Sequence, residues 1–198
     1  MRLFVAVEID EAIHQRLDDY VRTLQPRLPG VRFVRSNTYH ITLKFLGELP
    51  TSDAVIEALQ QLRESACQIT VAGVGFFPNA HAPRVFWAGV RAPTLPQLAR
   101  SVDQSLRALG FPAEPEFHPH LTLARNGSGR PRPLRGERPP EVFAQLPGIV
   151  ASSPAPEFGT MTAREFFLYE SRLSSSGPSY SKLHAFKLAG ETPLGEVQ

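Results

Sequence analysis

One short phrase occurs twice in this chain, as His-x-Thr-Leu at His40 to Leu43 and again at His120 to Leu123. Both copies lie in apolar runs that favour β-strands. Successive side chains on a strand point to opposite faces, so each histidine shares a face with its threonine and the apolar residues take the other face. A strand with one polar face suits an antiparallel sheet that is covered on one side only.

The surroundings of the two motifs repeat as well. A strand at 3–9 and a helix precede the first motif, and a strand at 84–90 and a helix precede the second. Phe4 lies 36 residues before His40, and Phe86 lies 34 residues before His120, by subtraction of the residue numbers. Strand, helix and motif strand therefore recur in nearly the same register, which predicts two related lobes about a pseudo-twofold axis.

The fold class that follows is α+β. We predict one two-lobed domain over residues 1–198, a bilobal pseudo-twofold arrangement of two antiparallel sheets with flanking helices, with the motif strands lining a central cleft. The remaining predicted elements are a helix after Thr51 or Ser52, a strand at 68–77, a short helix at 140–146 inside the Pro- and Gly-rich stretch 126–156, and a hairpin of 165–173 with 180–188.

The composition is that of an ordinary globular protein, with 42% hydrophobic and 20% charged residues and a net charge of +2. This charge is too small to require nucleic acid as a partner. The N-terminus lacks a secretion signal and no segment is long and apolar enough to span a membrane, so we expect a cytoplasmic protein with no membrane partner. Cys67 is the only cysteine, which excludes an internal disulfide and a cysteine-rich zinc site.

The motif residues suit proton transfer to and from an anionic substrate. Histidine, with an ordinary pKa of about 6.5, can donate or accept a proton near neutrality. Two histidines facing one substrate, His40 and His120, can act as acid and base. The hydroxyls of Thr42 and Thr122 can hydrogen-bond phosphoryl oxygens without adding charge. A phosphodiester is the substrate class that fits.

At this point the chain resembles the two-histidine (2H) phosphoesterases, and among them the bacterial RNA 2′,3′-cyclic phosphodiesterases, also called 2′-5′ RNA ligases. The resemblance covers nearly the whole chain. The blocks that carry it are RLFVA at 2–6, HITLKFLG at 40–47, RVFWAGV at 84–90, PHLTLAR at 119–125, ESRL at 170–173, and GP at 177–178 with Tyr180.

The resemblance implies hydrolysis of RNA 2′,3′-cyclic phosphate ends to 2′-phosphates, with no metal and no cofactor. It makes His40 the proton donor to the departing 3′ oxygen and His120 the base that activates water, with Thr42 and Thr122 holding the phosphate. The expected partner is RNA with such ends, including tRNA fragments, and the expected state is a monomer. The same chemistry with a ribose hydroxyl in place of water joins RNA ends through a 2′-5′ linkage.

Two basic residues are further candidates for substrate binding. Arg125 stands where similar proteins have a basic residue near the phosphate. Simple alternation sends it to the face opposite His120, so either the strand ends before it or its long side chain curls back. Lys44 shares the nominal face of His40 and could meet a phosphate or the ribose; the alternative is a surface lysine that covers apolar neighbours. The outer arginines at 130, 132, 135 and 138 are interpreted as a solvated loop.

Other interpretations remain open. The histidines at 14, 81 and 184 are interpreted as structural, and His118 as a structural neighbour of His120. His118 and His120 resemble a metal-binding His-x-His pair, but the strands supply threonine instead of carboxylate or cysteine. A noncatalytic module that binds RNA ends or cyclic nucleotides is the alternative class, which predicts erosion of one motif. ADP-ribose cyclic phosphate or 2′-5′ oligoadenylate are alternative substrates.

Overall fold

The computed structural model describes residues 1–113, 116–126, 141–174 and 177–190. Within them the chain forms eight strands and four α-helices. In chain order these are β1 (Arg2–Glu8), α1 (Glu11–Leu24), β2 (His40–Glu48), α2 (Asp53–Gln60), β3 (Cys67–Phe77), β4 (Val85–Arg91), α3 (Leu95–Arg107), β5 (His120–Arg125), α4 (Glu141–Ala151), β6 (Glu157–Ala163), β7 (Glu165–Ser174) and β8 (Gly177–Lys187).

The strands form a curled antiparallel sheet in the order β6-β3-β4-β5-β2-β1-β7-β8. This order is symmetric about its centre, because β5-β4-β3-β6 mirrors β2-β1-β7-β8 in position. The α+β class and the repeated strand–helix–motif unit are therefore confirmed. The two expected sheets are the two halves of one continuous sheet, since β2 pairs directly with β5 through Ile41 and Leu121.

The helices and the main core lie on one face of the sheet. Helix α1 begins after Asp10, whose carboxylate accepts a hydrogen bond from the Ile13 amide at 2.9 Å. Its apolar stripe is buried in the main core together with Ile41 and Leu121 from the two central strands. Burial of this face leaves the opposite face, which carries the motif histidines, to form a cleft.

Two further findings concern the second half of the chain. The short helix predicted at 140–146 is present as α4 and is longer than expected. Strand β6, which pairs with β3, is not among the predicted elements. The outer arginines lie outside the described residues, and no helix of the described part is long and apolar enough to cross a membrane.

Candidate active site

The two motifs meet at the centre of the sheet. Ile41 of β2 and Leu121 of β5 are antiparallel partners, and both are fully buried on the core face. Residues that precede and follow them point to the other face, so continuing this register sets His40 opposite Thr122 and Thr42 opposite His120. The two histidines then lie on a diagonal, which in a regular sheet separates Cα atoms by about 7–8 Å.

Each motif strand contains a β-bulge at the fourth residue of its motif. Val5 and Ala6 of β1 pair with Lys44 and Thr42, which leaves Leu43 as an extra residue. In the other half, Phe86 and Trp87 of β4 pair with Ala124 and Thr122, which leaves Leu123 as the extra residue. A bulge resets the alternation of the strand beyond it. The residues after the two leucines therefore face the side opposite to the one that simple alternation predicts.

The bulge at Leu123 brings Arg125 to the cleft. Arg125 lies on the same face as Thr122, and its Nη2 donates to Thr122 Oγ1 at 3.3 Å. The sequence pattern alone placed Arg125 on the opposite face, and the reset alternation explains why it can reach the cleft instead. Phe45 occupies the equivalent position in the other half. It is 60% exposed, and its ring lies 6.2 Å from that of Phe4 on the cleft face.

The bulge at Leu43 has the reverse effect on Lys44. The prediction that Lys44 shares a face with His40 is wrong, because the lysine turns into the core and is only 2% exposed. Its Nζ donates to Asp103 Oδ1 of α3 at 2.7 Å and to the carbonyl of Pro112 at 2.8 Å. Lys44 is therefore a buried ion-pair partner that ties β2 to α3. Simple alternation would likewise place Phe45 on the apolar face with Ile41 and Leu43, and the same bulge brings it to the cleft face instead.

Both motif histidines are oriented by a backbone carbonyl two residues earlier. Nδ1 of His40 lies 2.7 Å from the carbonyl oxygen of Thr38, and Nδ1 of His120 lies 2.7 Å from that of His118. A carbonyl oxygen only accepts, so each Nδ1 carries a proton and donates. In the neutral ring this leaves the Nε2 lone pair for chemistry in the cleft. His118 thus contributes through its backbone, while its ring is largely exposed.

The two imidazoles have different surroundings. Around His40 lie Phe4 at 4.8 Å and Tyr180 at 5.2 Å, measured between ring centroids, with Tyr169 stacked on Phe4 at 5.1 Å. These aromatic rings fill the space beside His40.

Around His120, Phe77 meets the imidazole edge-on at 5.0 Å and Trp87 lies at 6.5 Å. From the sequence alone both rings could offer a stacking platform for a base, although aromatic residues in strands are most often core.

Burial is the main influence on both histidines, and it lowers the pKa of His40 and of His120 from the ordinary value. The hydrogen bonds to the backbone carbonyls act in the opposite direction. The Arg125 guanidinium lowers both pKa values further, as do the charge of His120 on His40 and the charge of His118 on His120. The lowered pKa favours the neutral form of both rings near pH 7, whereas a bound phosphate would favour the protonated form.

The other histidines stay outside this site. His14 lies 2.6 Å from the carbonyl of Ser36, and His184 contacts Gln60 on the surface. Among the described residues, no group of three or more His, Cys, Asp and Glu side chains is placed to hold a metal ion.

An α+β fold with paired His-x-Thr strands facing one cleft is the arrangement of a two-histidine phosphoesterase. Comparison with known proteins agrees: residues 7–87 and 90–180 match the family described as LigT like Phosphoesterase. The chain belongs to this family.

Named relatives and solved structures cover nearly the whole chain. An RNA 2′,3′-cyclic phosphodiesterase of Archaeoglobus fulgidus is 35% identical over 190 residues, which is 94% of this chain and 100% of that protein. One of Methanothermobacter thermautotrophicus is 30% identical over 195 residues, 95% of this chain and 99% of that protein.

The structure of TT0787 of Thermus thermophilus has a TM-score of 0.75 and 29% identity, and the match covers 96% of this chain and 100% of that one. The structure of E. coli LigT complexed with 3′-AMP has a TM-score of 0.73 and 26% identity, with 94% and 97% covered.

Proposed function

We propose that this chain hydrolyses RNA 2′,3′-cyclic phosphate ends to 2′-phosphates, with the two motif histidines as acid and base. The observation that carries the proposal is the pair of imidazoles on adjacent strands, each held by a backbone carbonyl through Nδ1 so that Nε2 is left for the substrate. The names of the relatives from A. fulgidus and M. thermautotrophicus support RNA as the substrate.

In the proposed reaction the cyclic phosphate lies between the two rings. Nε2 of His120 takes a proton from water as the water oxygen bonds to phosphorus. Nε2 of protonated His40 gives its proton to the 3′ oxygen as that oxygen leaves. Each transfer of this kind contributes about 10²–10⁴ in rate. No step draws on a metal or cofactor.

The threonines and Arg125 hold the phosphate. The two hydroxyls can donate to phosphoryl oxygens, and the Arg125 guanidinium supplies positive charge where negative charge develops. The same charge that holds the phosphate also lowers the pKa of both histidines, for which burial is the larger cause. The negative charge of a bound diester offsets the charge of Arg125 and attracts the imidazolium directly, so substrate binding itself favours the protonated acid.

The test is to incubate the protein with cytidine 2′,3′-cyclic phosphate in EDTA and to identify the product by phosphorus NMR. We expect the 2′-phosphate, and we expect His40→Ala and His120→Ala each to lower kcat by at least 100-fold. His81→Ala is the matched control, because His81 is exposed and lies in the loop between β3 and β4.

The outcomes separate the parts of the proposal. A 3′-phosphate product would contradict the assigned leaving group, and loss of activity in EDTA would contradict metal independence. Tight binding without turnover would favour the noncatalytic module, which both intact motifs argue against. Higher kcat/KM on ADP-ribose cyclic phosphate or 2′-5′ oligoadenylate would assign a different diester. Attack by a ribose hydroxyl in place of water, which gives a 2′-5′ linkage, uses the same two imidazoles.

A further inference from the structure

The turn that carries the Thr38 carbonyl is held by a residue outside the cleft. Residues Ser36–Thr38 form a short 3₁₀ turn directly before β2, and Thr38 is buried. The carbonyl oxygen of Ser36 lies 2.6 Å from Nε2 of His14, near the start of α1. Since a carbonyl oxygen only accepts, Nε2 of His14 carries a proton and donates it to this hydrogen bond. A side chain of α1 is therefore hydrogen-bonded to the turn that orients His40.

His14 also contacts the residue that follows Thr38. Its ring lies 5.5 Å from that of Tyr39, measured between centroids, and Tyr39 is buried. The contacts of His14 thus bracket Thr38, with Ser36 before it and Tyr39 after it. Together they restrain the peptide unit whose carbonyl oxygen accepts from Nδ1 of His40 at 2.7 Å.

The backbone that carries the His14 side chain is itself fixed. Ile13 and Leu17, on the neighbouring stripe of α1, are buried in the main core. Helix α1 begins after a connection of only two residues from β1, and Glu8 at the end of β1 is the antiparallel partner of His40. Supporting residues fix a site most precisely when packing holds them in place. His14 meets this condition, because its helix is packed against the core and closely connected to the strand beside His40.

We propose that His14 is a positioning residue for His40. This inference rests on the proposed function, because the step it serves is proton transfer by His40. His14 holds the turn, the turn holds the Thr38 carbonyl, and that carbonyl sets the tautomer and the orientation of the His40 ring. Without the hydrogen bond from His14 the turn is less restrained, so Nε2 of His40 is less often aligned with the leaving oxygen. Misplacing a reacting group by about 1 Å can lower a rate by about 100-fold.

Two amide variants at position 14 differ in the reach of their donor. Glutamine places its amide nitrogen close to where histidine has Nε2, whereas asparagine is one methylene shorter and places it close to Nδ1. His14→Gln can therefore still donate to the Ser36 carbonyl, and His14→Asn cannot. Both side chains are polar and suit a half-buried position, so comparing them separates the hydrogen bond from the loss of the ring.

The first measurement is steady-state hydrolysis of cytidine 2′,3′-cyclic phosphate. We expect His14→Asn to lower kcat by about tenfold or more, with KM within about threefold of wild type, because the groups proposed to hold the phosphate are unchanged. His14→Gln should restore kcat to within about threefold of wild type. His184→Asn is the matched control, because His184 is also half-buried and its ring contacts Gln60 outside the site; its kcat should equal that of wild type.

The second measurement is NMR of the histidine ring nitrogens in ¹⁵N-labelled protein, with signals assigned by single variants. In wild type the neutral rings of His40 and His120 should both carry their proton on Nδ1. In His14→Asn the signals of His40 should shift towards the other tautomer. Those of His120 should stay in place, because its carbonyl partner belongs to His118 and not to the turn before β2. A purely structural role for His14 would lower Tm without changing the tautomer of one imidazole alone.

The possible failures are distinguishable. A kcat of His14→Asn within about threefold of wild type, unchanged signals of His40, equal changes at both imidazoles, or a kcat that His14→Gln does not restore would each overturn the positioning role while leaving the hydrolase intact. Absence of hydrolysis by the wild-type protein would overturn the proposed function, and this inference with it.

Discussion

Lys44 offers a direct test of the role that the bulge assigns to it. In the structure its ammonium is buried between Asp103 Oδ1 and the carbonyl of Pro112, at 2.7 and 2.8 Å. Lys44→Met keeps most of the length of the side chain and removes the charge. Two acceptors then lose a donor, and each unsatisfied buried acceptor costs about 1–3 kcal/mol.

The neighbouring guanidinium limits this cost. Asp103 Oδ2 also accepts from Nε and Nη2 of Arg107, at 3.1 and 2.8 Å, so the carboxylate keeps a positive partner. Breaking a buried ion pair outright lowers the unfolding free energy by about 3–5 kcal/mol. Because Asp103 keeps Arg107 as a partner, we expect Lys44→Met to lower it by about 2–3 kcal/mol. Lys44→Met with Asp103→Leu removes both buried charges and should recover at least half of that loss.

The assay is urea unfolding of the three proteins, with steady-state hydrolysis of a 2′,3′-cyclic nucleotide measured well below the transition. We expect the KM of Lys44→Met to stay within threefold of wild type, since the ammonium lies on the core side of β2. An unfolding free energy within about 0.5 kcal/mol of wild type, the usual range for surface changes, would refute the buried pair. A raised KM at unchanged stability would restore Lys44 as a substrate ligand.

Three further predictions concern the cleft. Arg125→Met should lower kcat/KM by about 10- to 150-fold, which corresponds to the loss of a charge-assisted hydrogen bond of about 1.5–3 kcal/mol. Because Arg125 lowers the pKa of both histidines, its loss should also move the bell-shaped dependence of kcat/KM on pH to higher pH. Arg125→Lys, which keeps the positive charge, should leave that dependence in place. Phe45→Ala should raise the KM for RNA ends by about 5- to 150-fold if the exposed ring stacks on the base, at unchanged Tm; an unchanged KM would contradict this role. Folding lowers the pKa of His40 and of His120 below 6.5, so the unfolded chain binds more protons and the unfolding free energy should fall as the pH drops below about 6.5. In a series of urea-unfolding measurements at different pH, the double variant His40→Gln with His120→Gln should lose less unfolding free energy below about pH 6.5 than wild type. An equal dependence on pH in the two proteins would contradict this prediction.

The sequence was sufficient for the features that depend on periodicity. Alternation in the two motif strands predicted which faces of β2 and β5 carry Ile41 and Leu121, and the nearly equal spacing of strand, helix and motif predicted the two related halves of the sheet. These signals are local or repeat at fixed distances, so they can be recognised without knowing which strands pair.

The bulges at Leu43 and Leu123 could not be predicted in this way. A bulge is a mismatch in count between two paired strands, and neither leucine differs in type from an ordinary strand residue. An error of one residue then reverses every side chain beyond it. That is why the pattern misplaced Lys44 and Phe45 and assigned the backbone of Arg125 to the wrong face. The only local signal was the basic residue itself, three positions after Thr122.

The near symmetry of the scaffold raises the question of how two identical imidazoles could perform opposite tasks. Both are fixed by the same carbonyl contact, and burial lowers the pKa of both. The difference lies in their surroundings: rings fill the space beside His40, whereas a groove of about 530 Å³ opens beside His120. The open side gives the proposed nucleophile access to phosphorus, which supports the proposal of His120 as the base, and the rings beside His40 would keep water from the proposed leaving oxygen. The assignment of acid and base would then follow from access to the rings rather than from the rings themselves.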